Sequence, residues 1–254
     1  MKKLYIASLL IFLHALAFVS STVAIAGTYT TNFPLTEDPI SENGRWIGGK
    51  TTGLAWADFQ STPGLAFGKQ PGTHPGLYDD SIALLTGTWG PNQTVQATIK
   101  MVNQNDGVLG VMWRLIRRVQ ATVKRVNQND GIFEELEIRL RSTVTANSST
   151  GYECLFSVLN ATNPYVQIVR WNGPFGDFTG LVSRGGSSVA LHNGDTIKCT
   201  MSGSTITAYI NGVQKLQVTD DTYTSGNPGI GAYLQGTTGV NGVYGFTSFT
   251  ATDE

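Results

Sequence analysis

Over much of the chain, apolar residues recur at every second position in short stretches separated by Gly, Pro, Asn and Asp. This is the period of a strand with one face buried. Ile206 to Ile210 and Val213 to Val218 alternate in this way around Asn211-Gly212, a pair that supplies the two positive-φ residues of a type I′ turn and so predicts a hairpin. Gly226-Asn227-Pro228-Gly229 then interrupts the chain before Ile230 to Leu234, and Phe246-Thr247-Ser248-Phe249 alternates again near the end. Upstream, Tyr152 to Phe156 and Tyr165 to Trp171 read as two more strands, the second ended by Asn172-Gly173-Pro174. Between Glu135 and Arg141 the alternation puts Leu136, Ile138 and Leu140 on one face and Glu135, Glu137, Arg139 and Arg141 on the other. These elements predict an all-β, two-sheet antiparallel β-sandwich.

The order of the C-terminal pieces narrows the architecture. Asn193-Gly194-Asp195, a strand, the Asn-Gly hairpin, an Asp, Ser225-Gly226-Asn227-Pro228-Gly229-Ile230-Gly231 and a final aromatic strand together resemble the C-terminal half of concanavalin A-like, laminin G-like jelly-roll domains. The resemblance implies a jelly roll over residues 27–254, with ligands lying on the concave face. Domains of this kind bind glycans, cleave polysaccharides or mediate adhesion between proteins, so the fold alone does not choose among these roles.

Lys2-Lys3, an apolar stretch from Leu9 to Val19 and Ala24-Ile25-Ala26 read as a secretory signal cleaved before Gly27, which predicts a secreted or periplasmic protein with no membrane attachment afterwards. With 17 Lys+Arg against 18 Asp+Glu and only 14% charged residues, the chain has no electrostatic footprint for nucleic acid or anionic lipid. Cys154 and Cys199 sit in phase with apolar neighbours and are expected to point inward. In an oxidising compartment they could pair, and two core thiols is the other reading.

One stretch occurs twice. VQATIKMVNQNDGV at 95–108 returns as VQATVKRVNQNDGI at 119–132, identical at 11 of 14 positions and offset by 24 residues. Each copy reads as strand, turn and strand, a duplicated hairpin of which one copy is expected to be an insertion that extends a sheet edge or loops out.

Chemistry concentrates around the charged strand. Four charges on one face of a charge-poor chain are either a solvated sheet face or a ligand surface. Laminarinase-like enzymes of the resembling fold carry E-x-D-x-E along one strand; here Glu135-Leu136-Glu137-Ile138-Arg139 puts Arg139 where the second catalytic carboxylate should stand. Glu135 and Glu137 remain the candidate catalytic pair, two positions apart on one face. Arg139, Arg141, Tyr152, Glu153, Arg170, Trp171 and Asp177 are the candidate ligand-binding residues, with Trp171 offering a flat apolar platform beside the charge of Arg170. Jelly-roll lyases that carry Q-I-H have a counterpart in Gln167-Ile168-Val169, which lacks the His. Proton abstraction there would fall to Tyr152, with Arg139 or Arg170 neutralising a uronate.

Other motifs lead nowhere. Gly44 to Thr51 matches the phosphate-loop pattern GxxxxGK[ST], but no buried strand feeds it and no helix pattern follows. Only His74 and His192 follow Gly27, few parts for a His metal site or a Ser-His-Asp triad. No cofactor is expected. A structural calcium ion is an option that the resemblance implies, with Asp220, Asp221 and loop carbonyls as oxygen donors. The expected function is recognition of an extracellular polysaccharide or glycan, with glycoside hydrolysis or polysaccharide lysis, and adhesion, as alternatives.

Overall fold

The computed structural model describes residues 27–53, 56–69, 79–101, 134–158, 163–234 and 242–254. The signal sequence expected at 1–26 lies outside them. The strands in chain order are β1 (Thr28–Thr31), β2 (Trp46–Gly48), β3 (Phe59–Thr62), β4 (Leu65–Gly68), β5 (Asp79–Leu85), β6 (Gln93–Met101), β7 (Glu134–Thr145) and β8 (Ser148–Val158). They continue with β9 (Tyr165–Gly173), β10 (Phe178–Gly185), β11 (Thr196–Ser202), β12 (Thr205–Ile210), β13 (Val213–Thr219), β14 (Asn227–Leu234) and β15 (Tyr244–Asp253). They form two antiparallel sheets, the two-layer sandwich that the alternation and the resemblance predict. One runs β13-β12-β11-β6-β15-β4-β3 with β1 also on β15; the other runs β10-β9-β8-β7-β14-β5-β2.

The core lies between the sheets and follows the period of two. Val95, Ala97 and Ile99 of β6 face Leu136, Ile138 and Leu140 of β7 and Cys154 and Phe156 of β8 across it, all but fully buried. Asn211 and Gly212 turn at φ of 50° and 75°, and Ile210 pairs with Val213, so the hairpin forms as the dipeptide predicts. β14 starts at Asn227, earlier than the Gly/Pro punctuation suggests, because a bulge between Asn227 and Gly229 accommodates Pro228. A second bulge between Phe246 and Ser248 lets Phe246 and Phe249, three apart, both face inward.

Cys154 of β8 and Cys199 of β11 form a disulfide, Cα to Cα 6.4 Å, which ties the seven-stranded sheet to its partner. Of the duplicated stretch, Val95 to Met101 is the body of β6; the first copy's turn and the whole second copy lie in 102–133, outside the described residues. The first copy's strand is central and not at an edge, since β11 and β15 pair with its two sides. The next described strand, β7, belongs to the other sheet. Lys50 to Thr52 form one short 3-10 turn, so no α-helix follows the phosphate-loop pattern.

Candidate functional site

The outer face of the seven-stranded sheet carries the site. Register places side chains in rows across it. Asp80 of β5 pairs with Tyr233 of β14, and Tyr233 with Glu135 of β7. The next row runs Ile82, Gly231, Glu137, Leu155 and Gln167, and the one after it Leu84, Gly229, Arg139, Glu153 and Val169. Gly229 and Gly231 are required here. A Cβ at Gly231 would come within 2.0 Å of Glu137 Oε2 and 3.0 Å of Arg139 Nε, so the bare backbone makes room for the charged pair.

Arg139 is the hub of this face. Its side chain is 1% exposed; Nη2 donates to Glu137 Oε2 at 2.5 Å and Nη1 reaches Glu153 Oε2 at 2.7 Å. Its guanidinium lies 5.3 Å from the centre of the Trp171 ring, whose indole N–H also donates to Glu153. Trp171 is in turn edge-on to Trp56 at 5.0 Å, and Trp56 to Phe175 at 4.8 Å. These rings cluster with Ile82, Leu84, Leu155 and Val169, so the segment carrying Trp56 covers that part of the outer face as a second small core.

What stays open is a cavity of about 330 Å³ lined by Asp80, Glu135, Glu137, Glu153, Tyr165, Tyr233 and Phe178 among others. Phe178 is 48% exposed and tilts against Trp171 at 5.3 Å. The Tyr165 hydroxyl donates to Glu135 Oε1. Four carboxyl groups, from Asp80, Glu135, Glu137 and Glu153, line this wall. Burial raises the Glu135 pKa to about 7 against the opposing hydrogen bond from Tyr165, and the charge of Glu153 adds to the rise. Glu137 is raised well above the carboxylate range by burial and by Glu153, with Arg139 opposing. Burial disfavours the Arg139 cation, but Glu153, Glu137 and Asp80 outweigh it and raise its pKa.

Glu135, Glu137, Glu153 and Trp171 therefore converge with Arg139 as the strand pattern suggests, but not in the roles first expected. Trp171 is 5% exposed and is a wall of the small core, not an open platform; the exposed ring at the mouth is Phe178. Arg141 leaves the ladder. A bulge after Leu140 and a φ of 45° turn it away, and its guanidinium donates to the carbonyls of Pro91, Tyr223 and Gly203 at 2.7 to 2.8 Å. Tyr152 and Arg170 are on the opposite side of their strands from Glu153 and Trp171. Both hold Asp220, the Tyr152 hydroxyl donating to Oδ1 at 2.7 Å and Arg170 Nη1 to Oδ2 at 2.6 Å. Asp177 sits exposed in the turn before β10 and accepts from Asn172 Nδ2.

Tyr152, the base that a lyase reading names, is buried on the opposite face from Arg139 and shares Asp220 with Arg170, its pKa pushed up to about 12 by burial and by Asp220. Of the calcium donors that the resemblance implies, Asp220 accepts from Tyr152, the Thr222 N–H and the Arg170 cation. Among the described residues no group of three or more His, Cys, Asp or Glu is arranged to hold a metal ion.

The residues that the sequence reading missed are Asp80, Tyr165, Gln167, Tyr233 and Phe178. Tyr165, Gln167, Val169 and Trp171 are a plain period of two along β9, a signal available in the sequence; Asp80 and Tyr233 reach the site only through strand pairing.

No protein-family model matches the chain, and no curated protein matches it. Among solved structures it is similar to the carbohydrate-binding module CBM66 from Bacillus subtilis, at 13% identity over 78% of this chain and 96% of that one, with a TM-score of 0.48. It is also similar to the exoplasmic/lumenal domain of VIP36 in its Ca2+/Man3GlcNAc-bound form, at 10% identity over 84% and 86% with a TM-score of 0.49. The Bacillus licheniformis beta-glucanase matches at 14% identity over 90% and 98% with a TM-score of 0.48.

Proposed function

We propose that the protein is an extracytoplasmic carbohydrate-binding β-sandwich that takes its glycan in the cavity on the outer face of the seven-stranded sheet. The observation that carries this reading is the pairing, in one cavity, of an open aromatic ring at Phe178 with hydrogen-bonding groups from Glu135, Tyr165 and Gln167. Sugars present CH faces and hydroxyls together, and such a wall answers both. The Cys154–Cys199 disulfide supports an oxidising compartment.

Binding is favoured over hydrolysis by accessibility. A glycosidase needs two carboxyl groups in contact with the scissile bond, one to give a proton and one to attack or to activate water. Here Glu135 is partly exposed, but Glu137 and Glu153 are 1% and 2% exposed and bonded to Arg139. Glu135 with its raised pKa is suited to donate a proton at neutral pH, but the pair lacks a free second member.

Titration calorimetry with glycans selected on an array tests the proposal. Phe178→Ala removes an exposed ring without opening the core and is expected to weaken binding by about 1 to 3 kcal/mol, the range for an aromatic anchor. Reducing-sugar release is expected to stay at background. Absence of binding to any glycan, or a Phe178→Ala variant that binds as wild type does, overturns the assignment; release of reducing ends moves it to hydrolysis.

A further inference from the structure

Resting on the signal sequence read at 1–26, we infer that its removal is a locking step for the fold: the ammonium group created at Gly27 closes an ion pair on Asp253 and pins β1 to β15. Two independent observations meet at one atom. The sequence puts Ala24-Ile25-Ala26 immediately before Gly27, the small-residue pattern at which a signal-processing protease cuts. In the fold, the nitrogen of that same Gly27 sits on a carboxylate. Gly27 N donates to Asp253 Oδ1, Gly90 N donates to Oδ2, and the Asp253 N–H returns a bond to the Gly27 carbonyl at 3.0 Å. Asp253 is 6% exposed. A Cβ at Gly27 would lie 3.1 Å from Oδ1, so glycine lets the nitrogen approach without that crowding.

Cleavage changes the charge of this contact and not its place. Hydrolysis of the Ala26–Gly27 bond consumes one water, whose hydroxyl goes to the Ala26 carbonyl carbon and whose hydrogen goes to the Gly27 nitrogen. The new carboxylic acid passes its proton to the amine and leaves on the signal sequence as a carboxylate. An α-amino group titrates at about 7.7 to 8.0 in an open chain, so at neutral pH the carboxylate of Asp253 exchanges a neutral amide donor for a cation. Charge-assisted hydrogen bonds of this kind are the stronger ones. The element they hold is β1, which pairs with β15 alone among the described strands, from Thr28 opposite Thr252 to Thr31 opposite Phe249. The rest of β1 is anchored by Thr31, which donates to Glu42 Oε1 at 2.5 Å, and by Tyr29 against the rings of Trp46 and Phe249. Its first end is held by the Gly27–Asp253 contact. A chain that still carries its signal sequence has that contact without the charge, so the fold tightens only once the chain has been cut.

The test compares three forms of the full chain: one beginning at Gly27, the same chain acetylated on the Gly27 nitrogen, and one that retains Ala24-Ile25-Ala26, each as wild type and as Asp253→Asn. N-terminal sequencing of the exported protein is expected to begin at Gly27. In urea, the acetylated and extended forms are expected to show an unfolding equilibrium constant larger by about ten-fold, the order for a largely buried carboxylate that loses a charged partner. That difference should vanish in Asp253→Asn. Labelling with an amine-reactive reagent decides the matter should Asp253→Asn fail to fold: the α-amine of the Gly27 form is expected to react several-fold more slowly in the folded than in the unfolded chain, and that of the extended form at similar rates in both. Another first residue in the exported protein, equal urea midpoints for the free and acetylated amine, a difference that persists in Asp253→Asn, or an α-amine equally reactive folded and unfolded overturns the inference, whether or not any glycan binds.

Discussion

Glu135 illustrates how a single side chain can couple site chemistry to stability. Its pKa of about 7 in the folded protein exceeds the ordinary glutamate value, so the protonated form is the one that folding favours. The stabilisation this gives is fully present below the unfolded pKa and is lost as pH rises through the folded value. Between about pH 4.5 and 7 the loss amounts to roughly 3 kcal/mol for a shift of this size. Urea unfolding is therefore expected to show wild type gaining stability as pH falls from 8 to 5, with Glu135→Gln flattening the curve; parallel curves for the two proteins contradict the raised pKa. The same scale shows what was legible in the sequence. The period of two places Glu135, Glu137 and Arg139 on one face, and the structure keeps them there. It also predicts that Tyr152 and Glu153 point opposite ways, as do Arg170 and Trp171; joining such neighbours in one ligand surface set that geometry aside. The bulge that expels Arg141 has no local signal, because its cause is a set of loop carbonyls brought in from residues 91, 203 and 223.

At the scale of elements, the repeat shows a choice between two nearly identical strands. Position by position, the second copy would place Arg117 where Gln93 sits, Val123 at Ile99 and Arg125 at Met101. Gln93 is 1% exposed and bonds the carbonyls of Gly90 and Gly226 while accepting from the Arg141 N–H; Ile99 and Met101 are buried against the core. An Arg at position 93 or 101 would bury a charge, so the first copy takes the β6 slot. Deleting 102–125 joins Met101 to Val126 and leaves a single copy with β6 and β7 unaltered, and this variant is expected to unfold cooperatively. Deleting 95–118 installs the second copy's strand instead, and should be less stable than the first deletion by at least about 2 kcal/mol, from Ile to Val and Met to Arg in a packed interior. Equal urea midpoints would show that the two strands are interchangeable. The repeat itself is plain in the sequence; that β6 and β7 part to different sheets is not, since antiparallel partners here are chosen from far along the chain.

For the whole molecule, the sandwich is two sheets whose inner faces share one core, and the disulfide is a covalent tie between them. Cys154 and Cys199 lie 45 residues apart, with β9 and β10 inside the loop they close. In the chain-entropy account a loop of that length removes about 4 kcal/mol worth of freedom from the unfolded chain. That is a large part of the 5 to 15 kcal/mol that holds a domain of this class together. The sequence predicted both thiols to be inward and left their pairing open; burial at 0% for both, on strands of opposite sheets, closes it. Reduction with a thiol reagent is therefore expected to lower unfolding free energy by about 4 kcal/mol. A Cys154→Ala, Cys199→Ala variant should show no response to the reagent and start near the reduced protein's stability. Thiol titration of unfolded, unreduced protein is expected to find none. Two titratable thiols there, or a wild type indifferent to reductant, would mean that the sheets are held by packing alone and that the oxidising compartment proposed for the glycan-binding role loses its structural support.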